Sequence, residues 1–281
     1  MHPPRTVRLI TLAAFCLALT TATLAQEAKP IPYDHNPTAG KFYDINGFKM
    51  YTETYGDGPP LLMLHGNNGD MSAFAHNVPY FAAHYKVILA DSRSQGRSLD
   101  PDHPLNFEIM ADDFAALLDA MHIDSAYVIG WSDGGINALL LAIRHPSKVK
   151  KLAATGANLW PGPDAFAPGL WDQQALYAAS LQKPPATAKE KNNRKLFLLD
   201  WQEPHITLAQ LHTIQAPCLI MAGDHDAISL SHTLLIYQNI PHANLWIVPN
   251  SGHATLIEHA DEFNHKVDDF FTTPFKDHPS P

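Results

Sequence analysis

Only two of the 281 residues are cysteine, Cys16 and Cys218. That excludes the disulfide framework that staples small secreted domains, so stability has to come from a packed core. Basic residues are scarce as well. There are 19 Lys+Arg against 28 Asp+Glu, a formal net charge of −9, and no basic block anywhere. Sequence-independent nucleic-acid binding needs clustered Lys and Arg to neutralise phosphates, so that class is excluded too. No stretch reaches 18 apolar residues, the length a permanent membrane-spanning helix requires. H-E-x-x-H, C-x-x-C, a G-x-G-x-x-G dinucleotide turn and a P-loop are all absent. His253 to Glu258-His259 is two residues too long for H-x-x-E-H. Neither a metal nor any other cofactor is called for. The 23 prolines are scattered, which excludes collagen and a Pro-rich linker protein.

What is present is a globular composition, 46% hydrophobic and 17% charged, with far too much apolar content for a disordered chain. The chain opens with Arg5 and Arg8, then the apolar stretch Leu9 to Leu19, then small residues ending at Ala25. A basic start, a short apolar segment and small residues after it read as a secretory signal peptide over residues 1–25. The stretch is too short to span ~30 Å of hydrocarbon. An uncleaved anchor is the alternative. Lipidation at Cys16 is disfavoured by Phe15, where a small residue is needed. The expected mature protein, 26–281, is periplasmic or secreted, has no stable membrane insertion, and keeps Cys218 as its one thiol. Its 17 basic and 28 acidic residues give net −11.

Beyond a loose, Pro-rich lead-in over Lys29 to Lys41, strands and helices alternate. Phe42 to Tyr55 reads as a hairpin about Asn46-Gly47. Short apolar strands are expected at Leu61 to Leu64, Lys86 to Ala90, Ala126 to Gly130, Val149 to Thr155, Cys218 to Ala222 and Leu245 to Val248. Helices are expected at Ala73 to Ala83, Asn106 to Met121, Gly135 to Arg144, Ser229 to Asn239 and Thr255 to Phe271. This is an α/β pattern: a mostly parallel, twisted sheet covered by helices on both faces, forming one domain. The alternation lapses from 157 to about 206, which holds Trp160, Trp171, Trp201 and six prolines. That segment reads as a helical lid inserted over the carboxyl edge of the sheet.

The chemistry-bearing residues sit at strand ends. Gly130-Trp131-Ser132-Asp133-Gly134 is G-x-S-x-G, following an apolar strand and opening a helix. In that context it is a nucleophile elbow, with Ser132 exposed on a tight turn. A serine hydroxyl needs a base, and His253, just past the last strand, can reach the same sheet edge. The base needs an orienting carboxylate. Gly223-Asp224-His225-Asp226 supplies two at the right strand end. G-x-x-D favours Asp226, with Asp224 the alternative. The oxyanion needs main-chain donors. One is the N–H of Asp133 at a helix N-terminus. The other lies in the loop His65-Gly66-Asn67-Asn68, where the Asn67 N–H is favoured. Asp133 and Trp131 are taken as substrate contacts. Asp133 either charges the start of its helix or receives a cationic substrate group, such as an α-amino group.

H-G at 65–66, D-S-R-S-Q-G-R-S at 91–98, G-W-S-D-G-G at 130–135, G-D-H-D at 223–226 and S-G-H at 251–253 resemble, in order, the motifs of an α/β-hydrolase-fold serine hydrolase, from about Phe42 to Phe271. G-W-S-D-G-G-I at 130–136 and A-D-E-F-N at 260–264 are similar to the biphenyl hydrolase-like (valacyclovir hydrolase) group. That resemblance implies ester hydrolysis, including of amino-acid esters. Ser94-Gln95 departs from the G-H many relatives carry there. The resulting expectation is a serine hydrolase that cleaves small-molecule carboxylic esters, lactones or amides through an acyl-enzyme on Ser132, His253 and Asp226. The alternatives are a cofactor-free perhydrolase of haloperoxidase type, a carbon–carbon hydrolase using the same residues, and a catalytically inactive binding protein.

Overall fold

Strands β1 (Gly40–Ile45) and β2 (Phe48–Tyr55) pair antiparallel about Asn46-Gly47 in the computed structural model, which describes residues 32–100 and 103–276. Both turn residues have positive φ, 42° and 88°, the conformation a two-residue hairpin turn needs. Six more strands complete the sheet: β3 (Pro60–Leu64), β4 (Lys86–Ala90), β5 (Ala126–Trp131), β6 (Val149–Thr155), β7 (Cys218–Gly223) and β8 (Ala243–Val248). The order across the sheet is β1-β2-β4-β3-β5-β6-β7-β8. Only the β1/β2 and β2/β4 pairings are antiparallel. Every parallel strand therefore ends on one edge, and the loops leaving β3, β5, β6, β7 and β8 all open there.

Successive strand side chains point to opposite faces, and both faces are covered. Leu62, Leu64, Val128 and Leu152 pack on one side against α2 (Phe107–Ala120), α3 (Asp133–Arg144) and α7 (Leu230–Gln238), which contribute Phe114, Leu139 and Ile236. Leu61, Met63, Leu89 and Ile129 pack on the other against α1 (Val78–Phe81) and α9 (Ala260–Thr272), which contribute Phe81, Phe263 and Phe271. Burial on both faces explains why the strands read as apolar runs rather than alternating ones.

Three expectations differ from the structure. The helix expected over Ala73 to Ala83 divides into a 3-10 turn at Met71–Phe74 and α1, because Pro79 restarts the chain at the first turn, where a missing N–H costs nothing. The closing helix breaks at His259 (φ −127°, ψ 44°) into α8 (Thr255–Glu258) and α9. The described part of the lead-in is held rather than loose. Buried Glu53 accepts the N–H groups of Asp34 (3.2 Å) and Asn36 (2.8 Å) and the hydroxyls of Tyr51 and Tyr55. The expected signal peptide lies outside the described residues.

Between β6 and β7 the chain forms α4 (Leu170–Ser180), α5 (Ala188–Gln202) and α6 (Leu208–Leu211). α5 starts on a capping box, Thr187 with Glu190, which satisfies two otherwise orphan donors. It is clipped to the loop after β4 by Asn192 Nδ2 donating to Ser94 O (2.8 Å) and Lys195 Nζ donating to Asp100 O (2.5 Å). Trp171 of α4 stacks on Trp201 of α5, ring centres 4.3 Å apart.

Candidate active site

Ser132 lies between β5 and α3 at φ 56°, ψ −120°. A non-glycine residue held there costs on the order of 1–3 kcal/mol, and only its surroundings can impose it. The two flanking glycines allow those surroundings to close in. A Cβ on Gly134 would lie 1.9 Å from the Leu64 carbonyl oxygen, and one on Gly130 would lie 2.1 Å from the Gly134 oxygen. The Ser132 N–H donates to Thr155 O at the end of β6 (2.9 Å). Its Oγ is left 2.9 Å from His253 Nε2.

The loop carrying His253 is fixed from several sides. Trp131 Nε1 donates to the His253 carbonyl (2.8 Å). Glu258 Oε2 accepts the Gly252 N–H (2.6 Å), and Asp224 Oδ1 accepts the Ser251 N–H (3.1 Å). The backbone N–H groups of Asn250 and Ser251 hold the Asp224 carboxyl below the usual range. His253 Nδ1 faces Asp226 Oδ1 at 2.6 Å. The Asp226 side chain is fully buried and also accepts from the N–H groups of Ile228 (3.0 Å) and Gly223 (3.3 Å). The structure thus sets Asp226 against the imidazole and gives Asp224 to the backbone of the His253 loop. Gly156 (φ 65°) leaves room for the ring, since a Cβ there would come within 2.7 Å of His253 Cε1.

The Gly66-Asn67 backbone runs beside the nucleophile. A Cβ on Gly66 would sit 3.1 Å from Ser132 Cβ. Its conformation is held by His65, which the sequence places in the donor loop and the H-G motif without a role for its ring. His65 Nε2 accepts the Ser92 N–H (3.0 Å), so the ring proton is on Nδ1 and donates to Gly66 O (2.8 Å). Complete burial lowers the His65 pKa and keeps this ring neutral. The Asn67 side chain reaches α5, donating from Nδ2 to Asp200 Oδ1 (2.8 Å) and to Leu196 O (3.1 Å).

Asp133 is the first residue of α3 and the acid of its first turn, while Ser132 stands at the N-cap and makes no side-chain cap bond. The Asp133 carboxyl is buried against that of Asp200. Burial, and then the Asp200 charge, push the Asp133 pKa well above the carboxylate range, and burial also raises Asp200. Asp200 had no sequence signal, because it stands alone in the last turn of α5, between the apolar run Leu196 to Leu199 and Trp201, and belongs to no motif. A cavity of about 140 Å³ opens beside Ser132 and His253. Its lining includes Asp133, Asp200 and Glu203 as its acids and contains no Lys or Arg. Trp131 does not line it. The expected substrate contact is instead a brace for the His253 loop. Among the described residues no group of His, Cys, Asp and Glu could hold a metal ion.

Residues 59–193 match the family described as the alpha/beta hydrolase fold. The chain is also 31% identical over 251 residues to 2-hydroxy-6-oxononadienedioate/2-hydroxy-6-oxononatrienedioate hydrolase 1 of Dechloromonas aromatica, covering 75% of this chain and 86% of that one. The chain belongs to the α/β-hydrolase family. Serine hydrolase BPHL of Mus musculus is 26% identical over 263 residues, covering 87% of this α/β hydrolase and 90% of that protein. A hydrolase from Pseudomonas aeruginosa PA01 superposes with a TM-score of 0.71 at 23% identity, over 85% of this chain and 100% of that one, and shares the fold. The protein is accordingly a hydrolytic enzyme. The A-D-E-F-N segment noted in its sequence ends in Asn264, whose Oδ1 accepts from Asn77 Nδ2 (2.8 Å) and joins the start of α1 to α9. The role of that asparagine is structural.

Proposed function

We propose that this α/β hydrolase cleaves small-molecule carboxylic esters through an acyl-enzyme on Ser132. The observation that carries the reading is the continuous relay from Ser132 Oγ to His253 Nε2 (2.9 Å) and from His253 Nδ1 to Asp226 Oδ1 (2.6 Å). Ser132 Oγ attacks the ester carbonyl while His253 Nε2 takes its proton. Asp226 accepts from Nδ1–H, which holds the tautomer that leaves Nε2 free to act as a base. The main-chain N–H groups of Asn67 and Asp133 receive the oxyanion. His253 returns the proton to the leaving alcohol, and a water activated by the same imidazole releases the acid. Lactones and amides would follow the same steps.

The Dechloromonas relative is named for dienedioates, and such a dianion would enter a cavity here whose charged lining is acidic. The carbon–carbon reading is therefore disfavoured for substrates of that charge. An ester bearing a free amine fits better. Asp133 Oδ2 is buried with no donor facing it, and an ammonium group would supply one. The experiment is a panel of paired esters with and without a free amine, run alongside fluorophosphonate labelling. Ser132→Ala should abolish labelling and leave only the contribution of binding and the oxyanion donors, roughly 10³–10⁴ over water. Labelling that persists in the variant would sink the serine assignment. Equal kcat/KM on both members of each pair would sink the amine preference.

Export is part of the same proposal. A signal peptide over residues 1–25 would deliver the enzyme to the periplasm or medium beginning near Gln26, with Cys218 as its thiol. Intact mass of the exported protein checks this. A retained N-terminus in the membrane fraction would favour an anchor.

A further inference from the structure

Two carboxyls beside the nucleophile, Asp133 buried and Asp200 partly buried, have no place in the relay. Asp133 Oδ2 meets no N–H or O–H donor. Its hydrogen-bonding neighbours are the Asp200 carboxyl and the Asn67 amide. A carboxylate has no hydrogen to give, so a contact between two of them requires one to be an acid. Asp200 belongs to α5, Asp133 to the elbow and Asn67 to the loop after β3. Asn67 Nδ2 donates to both Asp200 Oδ1 and Leu196 O, two acceptors on α5. Three segments that are far apart in sequence therefore converge on one proton and one amide.

We propose that Asp200 is a positioning residue: it shares a single proton with Asp133 and, through Asn67, holds the main-chain donor loop in place over Ser132. This rests on the reading of Ser132 as the nucleophile and of the Asn67 N–H as an oxyanion donor. Asn67 is tethered at its side chain, while its N–H does the chemistry. Losing the tether shifts the donor without removing it, and displacing a catalytic group by about 1 Å can cost about 10²-fold.

The proton makes the arrangement pH-dependent. The titratable groups around the pair are Glu203 at the end of α5 and His253 from the loop after β8. Asn67, Asn158 and Gln174 contribute neutral amides from the other segments around the cavity. No Lys or Arg lines the cavity to neutralise a second negative charge. Burial pushes both carboxyls upward. As pH rises through this raised range the proton is lost, two carboxylates face each other, and α5 is pushed away from the elbow.

The test uses the enzyme with a neutral probe, p-nitrophenyl acetate, so that no cation competes for Asp133. Wild type should show a descending limb in kcat/KM at high pH. Asp200→Asn provides its own N–H toward Asp133 and keeps an oxygen for Asn67, so that limb should vanish. Asp133→Asn repairs the pair from the other side and should remove it as well. Asp200→Ala supplies neither group, and its kcat should be at least about 10-fold below that of Asp200→Asn, with KM moving less than kcat. Superimposable profiles for wild type and Asp200→Asn, or equal kcat for the Ala and Asn variants, would overturn the proposal. Fluorophosphonate labelling run in parallel separates the two readings. An unlabelled wild type would overturn the serine assignment and this proposal with it. A labelled, active enzyme whose profiles coincide overturns this proposal alone.

Discussion

Asp224 and Asp226 are two residues apart in one turn, yet their surroundings give them opposite work. Asp226 is fully buried, with one oxygen on the imidazole and two backbone N–H donors keeping it in register. Asp224 is partly exposed and its contacts are to the backbone of the loop that carries His253. Asp226→Asn should therefore cost about 10⁴ in kcat, as amide replacement does in a comparable triad. Asp224→Asn keeps an acceptor for Ser251 and should cost less than about 10-fold, on the order of one neutral hydrogen bond. Steady-state kinetics on any turned-over ester decides it, and a crippled Asp224→Asn would reverse the assignment. At this scale the sequence was most legible where chemistry is local. Ser132, Asp226 and His253 each stand in a short motif that terminates a strand. Gly156 and Asp200 carry no such signal, and the H-G motif that holds His65 does not disclose what its ring does. His65 acts by bonding to Ser92, Gly156 by leaving a void for a ring 97 residues away, and Asp200 by meeting the elbow from a helix packed across the edge.

Elements show the same division. Strand ends were readable because β4 and β6 are bounded by polar residues and buried on both faces. The helices around Pro79 and His259 were not, because apolar spacing runs on through a break that only tertiary packing selects. In the insertion the spacing fails altogether. α4 buries none of its own side chains, whereas α5 buries Leu196 and Leu199 and is clipped to the loop after β4. Leu170 and Gln174 of α4 nonetheless line the cavity. What holds α4 down is aromatic: Trp171 on Trp201, Phe166 beside Trp171, and Tyr177 edge-on to Phe197. A stacked pair contributes about 0.5–1.5 kcal/mol beyond its buried area. Trp171→Ala should thus raise the population of undocked α4 by roughly 2–13-fold. Limited proteolysis over residues 168–186 should quicken by that factor, while the global Tm moves little. Unchanged cleavage would mean that other contacts hold the helix.

Across the whole molecule, buried acids act together. Asp91, at the end of β4, accepts the N–H groups of Met71 (3.1 Å) and Arg97 (2.8 Å), and Asp34 from the lead-in lies against it. Burial, then the Asp34 hydrogen bond, raises its pKa to about 8. A carboxyl raised on folding contributes stability that is complete below its unfolded pKa, about 3.9, and is lost as pH climbs through the folded value. His65 and His232 work in the other direction. Burial lowers both, so their stability is complete above about 6.5 and is lost as pH falls below it. Asp100 and Asp112 are depressed by their His and Arg partners and matter only in stronger acid. Between about pH 6.5 and 8 the histidine contribution is saturated, so the raised acids set the slope there and stability should decline. One proton taken up by the native state alone gives at most about 1.4 kcal/mol per pH unit. For a domain of this size that is roughly 2–4 °C of Tm for each kcal/mol. Asp34→Asn removes one charge of the pair and offers Asp91 an amide donor, so the Asp91 proton is no longer needed. Thermal unfolding followed from pH 6.5 to 8.5 should fall by several degrees in the wild type and run flatter in Asp34→Asn. Parallel curves would mean that the slope comes from elsewhere, and the Asp133–Asp200 pair would be the next to replace.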